Sequence, residues 1–166
     1  MSVTVPLAVY IQQHYREPSL PSPALWEKWF QQWLDALKAE LPKAAEYELT
    51  LCLSDDQQIQ SLNAQYRQKN QPTDVLAFAA LETPFLNQST VFGMQEQEPL
   101  YLGDIIISVE TAQQQAKERQ HSLRQELTWL AVHGLLHLLG WDHPDEESLN
   151  KMLAQQETLL VSSGHK

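Results

Sequence analysis

From Leu127 to Leu139 the chain is apolar almost all the way round a helix, and Gly140 follows directly. A helix with one apolar stripe can lie on a surface, but one apolar on every side has to be enclosed. The run falls short of the roughly 20 apolar residues that a membrane span needs, and Thr128, His133 and His137 interrupt it. It predicts a buried central helix, Leu123 to Leu139, capped by Ser122 and ended by Gly140 in a left-handed conformation. Everything else in the chain must wrap that helix.

The wrapping elements show their own periods. Val3, Val5, Leu7 and Val9 alternate as a first strand, and three prolines between His14 and Pro23 mark a loop. Leu25, Trp26, Trp29, Phe30, Trp33, Leu34 and Leu37 recur at helical spacing over residues 24–40, with Pro42 as the stop. Tryptophans at that spacing read as core rather than as a platform for stacking bases. Tyr47, Leu49, Leu51 and Leu53 form the clearest strand pattern. Ser54-Asp55-Asp56-Gln57 has the form of a capping box and opens a helix carrying Ile59, Leu62 and Tyr66.

A turn at Asn70-Gln71-Pro72 leads into a short strand from Asp74 to Ala80. Residues 81–99 lack a period and read as a flap or hairpin. Leu102 to Ser108, with Ile105-Ile106-Ile107, predicts a strand central in the sheet. Ser108 caps a polar helix through Gln120, and Pro144 precedes a last helix whose Leu149, Met152, Leu153, Leu159 and Leu160 face inward. The expected class is α+β: one domain over residues 1–166, a small mixed sheet of about four strands and about five helices.

Composition narrows the function classes. Lys and Arg number 11 against 21 acids, a net charge of −10, whereas proteins that hold long nucleic acids nonspecifically usually show a basic face. Any contact with RNA must then be local, or helped by a metal ion or a partner. The single cysteine, Cys52, excludes an internal disulfide, suits a reducing compartment and alternates with Leu51 and Leu53 as an inert core thiol. With no basic-then-apolar leader and no membrane-length segment, the expectation is a soluble cytoplasmic protein.

The chemistry concentrates in His133-Gly134-Leu135-Leu136-His137-Leu138-Leu139-Gly140-Trp141-Asp142-His143. Residues four apart share a helix face with Cβ atoms about 5–6 Å apart, so the imidazoles of His133 and His137 can reach one ion. The break at Gly140 turns the chain and lets His143 offer a third nitrogen. Three neutral imidazoles with an open fourth position describe a catalytic zinc site, because a structural site closes with a fourth ligand. Imidazoles also suit nickel, copper or iron. A lone histidine in an apolar helix is usually a core residue bonded to a carbonyl. Three so close together each bring polar nitrogens into a dry place, and one cation satisfies all of them. Glu126, seven residues before His133, shares its helix face and can orient a ligand or line the cleft, although a surface carboxylate fits equally. Asp142 can cap the next turn or accept a hydrogen bond from a ligand. His14, His121 and His165 lack such a context and are expected to be exposed.

The spacing is also that of the metzincin peptidases, but their general-base glutamate falls here on Gly134, which cannot move a proton. The full string instead resembles the signature of the YbeY endoribonuclease family, H-G-x-L-H-L-x-G-[Y/W]-D-H. Asn63 to Phe78 and Leu102-Gly103-Asp104-Ile105-Ile106-Ile107-Ser108 are similar to two further segments of that family, in the same order. The resemblance implies a metal-dependent single-strand endoribonuclease acting in rRNA processing, particularly maturation of the small-subunit rRNA 3′ end, and in ribosome quality control. Its expected partners are precursor rRNA and the ribosome or a ribosomal protein.

The expected cofactor is one Zn2+, which either activates a water or polarises a phosphoryl oxygen while the ribose 2′-hydroxyl attacks. Arg67, expected in a loop just after a helix, is the candidate cation for the phosphate, and the resemblance likewise puts a functional arginine there. Thr73, Asp74 and Asp104 frame the cleft by resemblance. Two other readings compete: a zinc peptidase with a remote carboxylate, and a noncatalytic ribosome-assembly factor whose metal pins the last turn of the helix.

Overall fold

The computed structural model describes residues 4–80 and 98–165. In chain order these form β1 (Leu7–Gln13), α1 (Pro23–Ala36), a 3-10 turn (Lys38–Glu40), β2 (Glu46–Ser54), α2 (Asp56–Arg67), β3 (Val75–Ala79), β4 (Pro99–Ser108), α3 (Val109–Arg119), α4 (Leu123–Leu138) and α5 (Glu146–Ser162). The sheet order is β1-β2-β4-β3, with β1, β2 and β4 parallel and β3 antiparallel to β4. Four strands in a mixed sheet with five α helices match the expected α+β class, and the isoleucine-rich strand is internal as expected.

Alternation along the strands splits the core in two. Leu51, Leu53, Ile105 and Ile107 face α4, which packs against β3 and β4 with α3 and α5 beside it and α1 against β1 and α5. Cys52, Leu76, Phe78 and Ile106 face the other way and meet Ile59 of α2. Leu127, Leu130, Ala131, Val132, Leu135 and Leu136 of α4 are all fully buried, as its composition requires. Each such leucine or valine stabilises by about 1.5–3 kcal/mol relative to exposure, so this helix can carry polar side chains at its end without leaving the core. Trp26, Phe30 and Trp33 of α1 are also fully buried, which makes them core.

Several boundaries differ from the sequence reading. Of the expected first strand, Val3 lies outside the described residues and Val5 is not in the sheet: its N–H donates to Asp35 Oδ1 (2.7 Å) and its carbonyl accepts from Gln31 Nε2 (2.6 Å), tying it to α1. The strand starts at Leu7, opposite Tyr47, and extends to Gln13. Ser54 does not cap α2, because it is the last residue of β2, paired with Ser108; Asp55 caps instead, accepting from Gln58 N at 2.8 Å. The ionised side chain also suits the positive end of the helix. Met152, Leu159 and Leu160 are buried on α5, but Leu149 and Leu153 are 36% and 39% exposed. The flap or hairpin expected over residues 81–99 lies outside the described residues except for its last two. No helix among the described residues is long and apolar enough to cross a membrane.

Candidate metal centre

Capping places the histidines. Ser122 and Gln125 form a reciprocal capping box that starts α4, and Leu139 closes it with 3-10-type bonds. Gly140 then takes φ +94°, a left-handed conformation that side chains with a Cβ rarely adopt, and the chain turns back towards the helix. Trp141 N donates to Leu136 O at 2.9 Å, and Asp142 Oδ1 accepts from His143 N at 2.8 Å, so the returning segment is pinned.

The three imidazoles converge. Ring centroids of His133 and His137 are 4.6 Å apart, with His143 at 6.0 and 5.6 Å from them. One nitrogen from each ring lies within 4.8 Å of the others. The Nε2 atoms of His133 and His137 are 3.1 Å apart, close to the edge of about 3.3 Å that two ligands span on a tetrahedral zinc with bonds of about 2.0–2.1 Å. On its far side, His133 Nδ1 donates to Gln156 Oε1 at 3.3 Å, and the His137 ring bonds to the Trp141 backbone. The two Nε2 atoms face one another at a separation that a shared cation would span. The donor set fits a metal ion.

Burial lowers the pKa of both His133 and His137, so each is held as the neutral form that binds metal. Trp129, one turn earlier on α4, stacks on His133 with centroids 5.4 Å apart and planes 8° apart. Arg119 lies over the Trp129 ring at 5.4 Å. These contacts restrict the ring of His133 from the side, as Gln156 does from behind.

His133 and His137 line a cleft of about 520 Å³, walled by β3 and lined also by Arg67, Asp74, Ala77, Trp141 and Asp142. Arg67 is the last residue of α2 rather than part of a loop, and Gln68 follows at φ 59°. Its Nη2 donates to the Ala77 carbonyl at 3.0 Å, and its guanidinium lies 4.8 Å from the Phe78 ring centroid. Asp74 is held by Val75 N (2.7 Å) and by Gln115 Nε2 (3.2 Å). Thr73 bonds to Asp74 at 3.4 Å and supports it.

Two expected residues lie elsewhere. Between Glu48 and Leu49 the register with β4 shifts, leaving Leu102 as an extra residue and turning Tyr101 to the same side as Asp104. Asp104 there accepts from the Tyr101 hydroxyl, which also contacts Thr50 Oγ1 at 2.6 Å, in a separate cavity of about 400 Å³ on the α2 side of the sheet. Cys52 shares that cavity, where burial pushes its thiol up to about 11 and keeps it inert. Glu126 is fully buried but bonds to Arg119 Nη1 (2.8 Å) and His121 Nε2 (2.5 Å), about 10 Å of helix away from His133. His121 and His165 are correspondingly half-buried rather than exposed, the latter against Trp29 with centroids 4.8 Å apart, while His14 is exposed.

Gly134 explains more than a missing base. A Cβ at this position would lie 2.8 Å from Ile105 Cγ2, because α4 and β4 touch there. A metzincin-type glutamate has no room at Gly134. Gln156, Trp129 and Gln115 escaped the sequence reading. Trp129 had a usable signal, lying four residues before His133; the other two come from α5 and α3 with none.

Comparison with known proteins shows the family. The model of one family, described as endoribonuclease YbeY, matches residues 11–164. A Picosynechococcus protein named endoribonuclease YbeY is 61% identical over 82% of this chain and 81% of its own. A Nostoc protein of the same name is 58% identical over 86% of this chain and 76% of its own. The solution structure of TM1509 from Thermotoga maritima shares the fold, with a TM-score of 0.57 at 23% identity, covering 94% of this chain and 89% of that one. With matches spanning nearly the whole length, the chain belongs to the endoribonuclease YbeY family.

Proposed function

We propose that this chain is a zinc-dependent endoribonuclease that cuts single-stranded RNA in rRNA processing, in particular at the small-subunit rRNA 3′ end, and that serves ribosome quality control in the cytoplasm. One observation carries the reading: three histidine nitrogens lie within 4.8 Å of one another, and His133 and His137 line a cleft that Arg67 also lines. When bound, the metal supplies Lewis-acid chemistry towards a phosphoryl oxygen or an attacking hydroxyl.

His133, His137 and His143 hold the ion, and burial of the first two keeps them unprotonated for that task. Arg67 lines the same cleft and presents a planar fork suited to gripping phosphate oxygens bidentately as negative charge builds up. Asp74 and Asp142 line the same cleft and can receive a proton or orient a hydroxyl. Thr73 acts through Asp74. The residues present leave water attack and 2′-hydroxyl attack both open, and product ends separate them: a cyclic phosphate marks 2′-hydroxyl attack. The net charge of −10 fits substrate presented on the ribosome or a ribosomal protein better than free RNA captured along a groove.

The test compares wild type, His133→Ala and Arg67→Ala for bound zinc and for cleavage of precursor rRNA. His133→Ala should lose both metal and cleavage. Arg67→Ala should keep the metal and lose about 10²–10³-fold in cleavage rate. Cleavage by folded, metal-free His133→Ala would refute the reading. Stoichiometric metal and ribosome association without cleavage by wild type would favour a noncatalytic assembly factor.

A further inference from the structure

Gln156 is the one buried polar residue of α5, only 1% exposed, in a helix otherwise joined to the core by Met152, Leu159 and Leu160. Its Oε1 is 3.3 Å from His133 Nδ1, while its Nε2 is enclosed and finds no hydrogen-bond partner among the described residues. A buried amide with one end unmatched costs stability, and an apolar side chain of the same length would remove that cost. The contact that remains is with a residue of the metal centre.

We propose that Gln156 is a positioning residue for the metal centre: its carbonyl oxygen holds the proton of His133 on Nδ1 and so aims the Nε2 lone pair at the ion. The inference rests on the proposed function only in needing the three imidazoles to bind a cation. The geometry supports it from several sides. A neutral imidazole carries one proton, so an acceptor at Nδ1 selects the form whose free lone pair is on Nε2. That Nε2 is the atom 3.1 Å from His137 Nε2. Trp129 stacked on the ring leaves it little freedom to tilt, and the carbonyl behind Nδ1 then sets the rotation. A hydrogen-bond acceptor on the outer nitrogen of a ligating histidine also raises its basicity. Gln156 lies 23 residues along the chain from His133, so docking of α5 on α4 makes the contact.

The test is equilibrium binding of Zn2+ in competition with a chromophoric chelator, together with the visible spectrum of the Co2+-substituted protein and the Tm of the metal-free protein. Gln156→Met keeps length and apolar fit but removes the acceptor; Gln156→Glu restores an acceptor. The expected result is 10–100-fold weaker Zn2+ binding for Gln156→Met, an altered Co2+ spectrum, and a metal-free Tm equal to or above wild type. Gln156→Glu should return Zn2+ affinity to within a few fold of wild type. Wild-type affinity in Gln156→Met would overturn the proposal. So would a lowered metal-free Tm in both variants with affinity falling in parallel, since that marks a packing role. If wild type itself binds no Zn2+ stoichiometrically, the metal centre is refuted and not Gln156 alone.

Discussion

The two ends of α4 handle buried polarity in opposite ways. Near its start, fully buried Glu126 is matched by Arg119 and His121, and the hydroxyl of Thr128 donates to the Arg124 carbonyl at 2.9 Å. Near its end, His133 Nδ1 donates to Gln156 Oε1, and the Nε2 atoms of His133 and His137 face each other at 3.1 Å. The first arrangement is closed and structural, with nothing left to bind. The second brings three ring nitrogens within 4.8 Å of one another beside a cleft of about 520 Å³. Burial of polar groups along one helix therefore does not mark function; convergence of several ring nitrogens on one point does.

That contrast can be broken at its closed end first. Glu126→Ala should lower stability by about 2–3 kcal/mol, less than for a wholly buried pair because the Arg119 side chain is 46% exposed, while leaving Zn2+ affinity unchanged. Chemical denaturation with a parallel metal titration checks it, and a matching loss of metal would show that the two ends are coupled. A smaller effect is expected between them. Gly134→Ala gains helix propensity but drives a methyl against Ile105, for a net loss of about 1–2 kcal/mol. An unchanged denaturation midpoint would mean that α4 can lift from β4 at little cost.

The mildest probe is pH. Burial holds His133, His137 and His165 below their ordinary 6.5 in the folded chain. The unfolded chain then binds protons that the native chain refuses, so this stability is present above 6.5 and is lost as pH falls through the lowered values. Metal-free protein should show a falling Tm below about pH 6.5, and His165→Phe should flatten only part of the slope. A Tm that rises on acidification over that range would contradict the direction of all three shifts.

The legibility of the site followed the range of its contacts. His133, His137 and His143 were readable because a helix period and a glycine stop are local rules, and they bring those residues together without help from the rest of the fold. Asp142 falls in the cleft for a similar reason, lying in the returning turn, whereas Asp74 was expected there by resemblance and reaches it because β3 packs against α4. Glu126 shows the limit of helix arithmetic: sharing a face with His133 is not sharing a site, since two turns separate them. Asp104 shows another, because an extra residue at Leu102 changes which side chains share a face. The first strand was misplaced for want of the Asp35 and Gln31 contacts, which belong to α1.

By itself the sequence determined most of the elements and the convergence of the three histidines, since apolar periods, caps and i,i+4 spacing act within a few residues of one another. Tertiary structure decided what surrounds those histidines. It brought Arg67 from α2 to the cleft, brought Gln156 from α5 behind His133, and closed β4 onto Gly134 so that even a Cβ there meets Ile105. Each of these joins residues from different elements, and only packing of the whole chain around α4 fixes distances of that kind.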